Sequence, residues 1–553
     1  MDKEYVVTLH RQEDLEQFYN EMQLSNFPLV MKRPLSRNTH YMMTEEQAEQ
    51  LRQDPRVWGV EPVDGFHIRR RVTNNEPYTK SGTFWKDGPA ASSISGTYFQ
   101  WGHLHCAGTQ SQRRKNSWGD PTGTELINDS VEIFNDGKHV DVVIVDDPVS
   151  YDSQEWYSPS TGQTRFVQYQ WFNELNTLVN SIDDDNQSEP TGTITYGTNG
   201  STPQFHGIHV TGTTCGQHYG WAREANIYNL AVTDSWPSGQ IVGALLIFDY
   251  LRAFHRNKGI NPATGKKNPT VTNHSYGGIY FMPNNSLQFS DVTAVNFQGV
   301  SYSSGNPPAG GWNQSTLESS FGIRFGYDTY PSWSAAVSAD VQDAIEDGVV
   351  IIGAAGNDNL LMAEVNDINW NNTMTVTGVG TFYYNRGGWP NTPDSGSILV
   401  GALQDHAEFR RSTYTNFGPS IDVYSPGDLI LSSYGNTGGF TDNKYGGSNF
   451  YYPISGTSMA SPQVCGVAAI LASGRSRFTN SDVLGYLNQY SIYNDMTFDV
   501  SGGGLTDVTC RQGSPNKYLH ATNPRESVGY PTETVGNRTS GMTFPRPRMY
   551  HEA

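Results

Sequence analysis

Ile454-Ser455-Gly456-Thr457-Ser458-Met459-Ala460-Ser461-Pro462-Gln463-Val464-Cys465-Gly466-Val467-Ala468-Ala469-Ile470-Leu471-Ala472 opens on small, turn-forming residues and continues without a single charge. From Val464 to Ala472 the pattern is that of a helix apolar on every side, which belongs inside a large domain. Gly456 and Thr457 come just before the apolar part, so Ser458 stands at the mouth of the helix. Unpaired N–H groups and a partial positive charge gather there. Two readings follow. Ser458 is a capping residue of a buried helix, or it is a nucleophile with a backbone donor beside it for a developing oxyanion.

The 553 residues suffice for more than one domain, and with 36% hydrophobic residues the chain reads as globular. The 57 glycines and 29 prolines point to many loops around that core. A formal net charge of −19 argues against electrostatic binding of nucleic acid. Met1-Asp2-Lys3-Glu4-Tyr5 has the wrong polarity for a secretion leader, and no apolar run approaches the length of a membrane span. Of the four cysteines, Cys215 and Cys465 sit in apolar surroundings and read as buried thiols. A Cys106–Cys510 pair stays open.

Residues 1–64 read as a separate small module in the order βαββαβ, a ferredoxin-like arrangement. Tyr5–Leu9, Phe27–Met31, Thr39–Met43 and Val57–Glu61 are the strands. Leu15, Phe18, Tyr19 and Met22 recur at helical spacing, and Thr44 with Gln47 forms a capping box ahead of Ala48 and Leu51. Residues 65–139 lack a pattern and read as a connector; the basic run Arg69-Arg70-Arg71 is a solvated turn or a processing point. His139–Asp147 is a β-branched run ending in two acids, as a buried parallel strand reads, with the acids at the edge where α/β proteins build sites. Three inserts, near 150–204, 280–332 and 360–397, interrupt the core segments of 140–494. Tyr169-Gln170-Trp171-Phe172 is placed to anchor the first insert. Asp183-Asp184-Asp185 is a solvated loop or a structural Ca²⁺ site. His206 and His209 could ligate a metal from one helix, but no third ligand accompanies them. Residues 495–553, rich in Gly, Thr, Pro and Arg, read as an extended tail.

Gly456–Pro462 resembles the nucleophile motif of the subtilisin-like serine proteases, and three further segments resemble that family in the expected order. His139–Asp147 resembles the segment of the catalytic aspartate, aligned on Asp146 with Asp147 as the neighbouring register. Phe205-His206-Gly207-Ile208-His209-Val210 resembles the histidine motif, with His206 as base and His209 structural. Gly353-Ala354-Ala355-Gly356-Asn357 resembles the oxyanion segment, with Asn357 as donor. Ser275-Tyr276-Gly277-Gly278 resembles the substrate-binding strand. The resemblance implies a three-layer α/β domain with a mostly parallel sheet, preceded by a small α+β propeptide-like module that acts as inhibitor of a self-processing enzyme. It implies Ser458, His206 and Asp146 as a triad, peptide or protein substrates, and no cofactor for the chemistry. Asp358 would favour basic side chains in the first pocket. The unusual inserts, tail and leaderless start also resemble particle-associated members, so the competing class is a virion structural protein with latent or no proteolysis, located in a particle or in the producing cell's cytoplasm.

Overall fold

The computed structural model describes residues 3–31, 36–62, 76–85, 93–94, 98–113, 126–182, 190–199, 205–404, 410–435, 440–442, 449–475, 477–496 and 513–524. The chain divides into two units, Met1–Val72 and Thr73–Ala553.

In the first unit, four antiparallel strands stand in the order Leu29–Met31, Asn38–Met43, Lys3–Leu9, Val57–Pro62. Helices Leu15–Leu24 and Glu45–Leu51 complete the βαββαβ order. Alternation puts Tyr5, Val7 and Leu9 on one face, packed with Phe18, Tyr41 and Ala48. The second helix starts on the predicted capping box: Gln47 N–H donates to Thr44 Oγ1, and the Gln47 side chain accepts from Thr44 N–H.

The second unit is built on eight strands: Asn226–Ala231, Asp141–Asp146, Thr270–His274, Val350–Ala354, Ile398–Leu403, Val423–Pro426, Lys517–Tyr518 and Ile492–Tyr493. The first seven are parallel and only the last pair is antiparallel. Val142 to Val145 are wholly buried on both faces, which is why they read as an unbroken apolar run. Helices His206–Cys215 and Thr457–Ala472 pack together, as do Trp171–Ile182, Ile247–Asn257 and Ala335–Glu346 among themselves, giving the expected three layers. Trp171 and Phe172 are buried and do anchor the first insert.

Three segments differ from their sequence reading. The connector contains a three-stranded sheet, Tyr98–Gln100, Tyr78–Trp85 and Leu126–Ile133, and the buried helix Trp101–Ala107. Phe84, Phe99, Trp101 and Leu104 join the main core. Two of its strands are eight residues long, but they lie far apart along the chain, so their pairing leaves no local pattern. The second and third inserts fold as one lobe. Hairpin Val292–Phe297/Val300–Tyr302 from one joins hairpin Thr373–Val376/Gly380–Tyr383 from the other through pairing of Val292–Phe297 with Thr373–Val376, over Leu317, Phe321, Met374 and Phe382. Within the tail, residues 513–524 are packed. Lys517–Tyr518 extends the large sheet, and the Tyr486 and Tyr490 hydroxyls donate to His520 and Pro524 carbonyls.

Cys106, Cys215 and Cys465 are buried free thiols. Cys510, Arg69–Arg71, Asp183–Asp185 and residues 535–553 lie outside the described residues. Among the described residues, no helix is long and apolar enough to cross a membrane.

Candidate active site

Helix Thr457–Ala472 is buried at every residue except Ser458. The fold thus leaves one polar side chain of this helix accessible, on its second residue. Pro462 is the sixth residue, too far in for its missing N–H to be harmless. The carbonyl four residues back, that of Ser458, loses its helical donor. Ser275 Oγ takes that place, donating to Ser458 O at 2.9 Å, and is itself held by Asn273 Nδ2 at 2.8 Å. In return the Ser458 hydroxyl donates to Ser275 O at 3.1 Å. In this arrangement its acceptor is that carbonyl and not the His206 imidazole.

Asp146 ends its strand as a fully buried residue, and His206 opens the helix that packs over that strand end. Gly207 permits the approach, since a Cβ there would lie 2.6 Å from the Asp147 carbonyl oxygen. His206 Nδ1 and Asp146 Oδ1 are 2.7 Å apart, and the same oxygen accepts from Asp147 N–H at 2.8 Å. The register left open between the two acids is therefore resolved geometrically: Asp146 meets the imidazole, while Asp147 turns to Thr233 Oγ1. Burial of His206 disfavours the imidazolium. Attraction to Asp146, the bond to it and the Asp147 charge outweigh that, raising its pKa to about 9. Sign matters here. The pair's contribution to folding is complete below the ordinary histidine pKa and is lost as pH rises through about 9. The neutral base needed for proton transfer appears over that same rise.

His209 is wholly buried, with Nε2 near the Ile430 and Tyr452 carbonyls at 2.8 and 3.1 Å. Burial pushes its pKa down to about 3. It is a packing residue whose Nε2 is held by these carbonyls, and it is not part of the cluster of possible metal ligands around His206. Among the described residues, the group able to hold a metal is Asp146, Asp147 and His206, with ligand atoms within 4.8 Å of one another. Its His206 and Asp146 atoms already share a hydrogen bond.

Asn357 follows the strand Val350–Ala354 and lines, with Ser458, a pocket of about 300 Å³. Its Oδ1 accepts from Thr457 N–H and Thr457 Oγ1, both at 2.9 Å. This fixes the amide orientation and leaves Nδ2 without a hydrogen bond to another described residue. Gly356 has φ +101° and leaves no room for a Cβ, which would lie 2.4 Å from Asn416 Nδ2. Asn416 clamps the loop from both ends, accepting from Asp358 N–H and Leu360 N–H and donating to Ala355 O and Asp358 Oδ2. Ser275, Tyr276, Gly277 and Gly278 line the same pocket, as does Asp358. Burial raises the pKa of the Asp358 carboxyl, more than its bond to Asn416 lowers it.

Several supporting residues were not foreseen. Asn391, from the third insert, donates to the His274 and Tyr276 carbonyls at 3.0 and 2.8 Å and so straightens the strand entering the pocket. Thr457 lies within the segment of the candidate nucleophile and Asn416 outside every motif, and an orienting hydrogen bond leaves no mark in spacing.

Residues 137–500 match the family model described as Subtilase family. The chain is 25% identical over 343 residues to alkaline serine exoprotease A of Vibrio alginolyticus, covering 61% of this chain and 43% of that protein. It is 27% identical over 324 residues to subtilisin-like protease 3 of Arthroderma benhamiae, covering 58% and 56%. The chain thus spans about half the length of the curated relatives it matches. A solved cold adapted subtilisin-like serine proteinase is similar at 22% identity and a TM-score of 0.41, over 73% of this chain and 98% of that one. With the family match extending over most of its length, this chain belongs to the subtilase family.

Proposed function

We propose that the chain is a serine endopeptidase in which Ser458, His206 and Asp146 act as a triad and Asn357 holds the oxyanion. The observation that carries the reading is the accessible Ser458 hydroxyl sharing a pocket with an asparagine whose Nδ2 is left free for a ligand. Ser458 Oγ attacks the scissile carbonyl. Its proton passes to His206 Nε2 and then to the leaving amine, while Asp146 holds the other ring nitrogen. Asn357 Nδ2 and the Ser458 N–H receive the charge that develops on the carbonyl oxygen. Before attack, the hydroxyl must leave the Ser275 carbonyl and turn to the imidazole. A substrate N–H bonding to Ser275 O would take its place and drive that rotation. No step calls for a cofactor; structural Ca²⁺ at Asp183–Asp185 is a separate proposal.

In this reading the N-terminal unit is a propeptide-like inhibitor released by self-processing, supported by its ferredoxin-like order ahead of the subtilase region. Asp358 in the pocket supports a basic residue at P1, the substrate residue that supplies the scissile carbonyl. The test is a peptide series varied only at P1. Lys and Arg should exceed Leu in kcat/KM, and Asp358→Asn should cut that preference about tenfold, the worth of a hydrogen bond to a charged group. Lys, Arg and Leu peptides cleaved equally by both proteins would refute the pocket assignment. No cleavage of any peptide would refute the enzyme.

A further inference from the structure

The segment that lines the pocket does not end at Gly278. It continues into strand Ile279–Phe281, which pairs antiparallel with Thr329–Pro331 from the same insert in a two-stranded ribbon. Backbone groups of successive residues in an extended chain point to opposite edges. One edge is turned to the protein. The His274 and Tyr276 carbonyls accept from Asn391, Gly278 N–H donates to Trp389 O at 2.7 Å, and Gly278 O accepts from Ser332 N–H at 2.8 Å. Met282 N–H donates to Asp328 O at 2.8 Å. The even-numbered residues therefore all face the protein. The odd-numbered residues 275, 277, 279 and 281 face the other way. There the Ser275 carbonyl meets only the Ser458 hydroxyl, and the ribbon has no third strand among the described residues. Gly277, Ile279 and Phe281 are all exposed, Phe281 by 71%. Trp389 packs where a Cβ on Gly278 would stand, which fixes the bend between pocket and ribbon.

We infer that Ile279 and Phe281 carry the open edge of the substrate-binding strand on beyond Ser275 and Gly277, so that it pairs with an extended substrate for about seven residues on the N-terminal side of the cut. This rests on the endopeptidase reading and deepens it. Direction follows from burial. Upstream of Ser275 the strand Thr270–His274 is wholly buried in the large sheet, so a substrate placed with P1 at Ser275 can extend only along Gly277 and beyond, antiparallel to it. P1 then lies opposite Ser275 and gives its N–H to the Ser275 carbonyl, its own carbonyl being the one under attack, while P3, P5 and P7 lie opposite 277, 279 and 281 and exchange both backbone hydrogen bonds. P2, P4 and P6 point their amides away. Ile279 and Phe281, exposed on one face of the ribbon, favour apolar side chains at P5 and P7.

The test changes the substrate and leaves the protein intact. A fluorogenic peptide capped at P4 is compared with the same peptide extended to P7 with Val at P5 and P7. The full chain should cleave the longer one with about tenfold higher kcat/KM, mostly through KM. N-methylation at P5 should abolish most of that gain, whereas N-methylation at P6 should leave it. Equal effects of the two methyl groups, or no gain from extension, overturn the inference. The Ser458→Ala chain separates this from the enzyme reading, because Kd for the labelled long peptide reads the edge without hydrolysis. A several-fold weaker Kd for the P5-methyl than for the P6-methyl peptide supports the edge even if wild type cleaves nothing. Equal Kd values overturn it even if wild type cleaves well.

Discussion

Ser458→Ala is expected to remove hydrolysis of every peptide, lowering kcat about 10⁶-fold, the magnitude known for the nucleophilic serine of subtilisin itself. The structure explains why the loss should be chemical and not a failure to fold. Ser458 is the one accessible residue of its helix, and alanine is a good helix former. Among the described residues, the side-chain bond lost is that to the Ser275 carbonyl, worth about 1 kcal/mol. The bond from Ser275 Oγ to the Ser458 carbonyl survives, because it needs only backbone. Thermal unfolding should therefore move by a few degrees at most while turnover disappears. His206→Ala should cost about as much, and the double variant little more, since residues acting as a unit are not additive. If the N-terminal unit is removed by self-processing, wild-type preparations shorten and Ser458→Ala preparations keep their full intact mass. A Ser458→Ala protein with wild-type turnover would exclude the serine mechanism.

Asn357→Ala should lower kcat by about 10²–10³ with little change in KM; this range also comes from the oxyanion-hole asparagine of subtilisin. The split between the two constants is the informative part. The oxyanion exists only after attack, so a donor aimed at it leaves ground-state binding almost untouched. The substitution also has a structural cost. Thr457 N–H and Thr457 Oγ1 both donate to Asn357 Oδ1 and would lose their acceptor, at about 1–3 kcal/mol. A modest drop in Tm therefore accompanies the catalytic loss. An equal rise in KM with unchanged kcat would instead make Asn357 a substrate-positioning residue.

What could be read from the sequence was what depends on local pattern. Val142–Val145 and Val464–Ala472 are buried on all sides, so their apolar runs declared a central strand and a central helix. Asp146 and His206 were legible as chemistry because each sits at the end of such an element, where a parallel sheet exposes its edge. Pairings between distant segments were not legible. Nothing in the polar, glycine-rich stretches 280–332 and 360–397 indicated that one would supply partners for the other's strands. Nor did Asn391 signal that it would hold the His274 and Tyr276 carbonyls. Lys517–Tyr518 is too short to show alternation, and its place as the last parallel strand of the sheet rests on its pairing at Tyr424 and on the Tyr486 and Tyr490 bonds to the residues that follow it. The Pro462 effect was not legible either. Its position relative to the helix start decides whether a carbonyl is orphaned, and that start is legible only to within a few residues.

The claim on which the rest stands is that Asp146 and His206 activate Ser458. The most direct measurement is the rate at which a fluorophosphonate labels the protein as pH is raised, with the site read by peptide mass. Acidic solution keeps His206 charged, and its pKa is raised to about 9. The account therefore predicts a single label on Ser458 whose rate climbs with pH, with an apparent pKa above the usual value of about 6.5 and reaching toward 9, and which vanishes in His206→Ala. A label on another residue, or a Ser458 label formed at the same rate at all pH values and without His206, would contradict it.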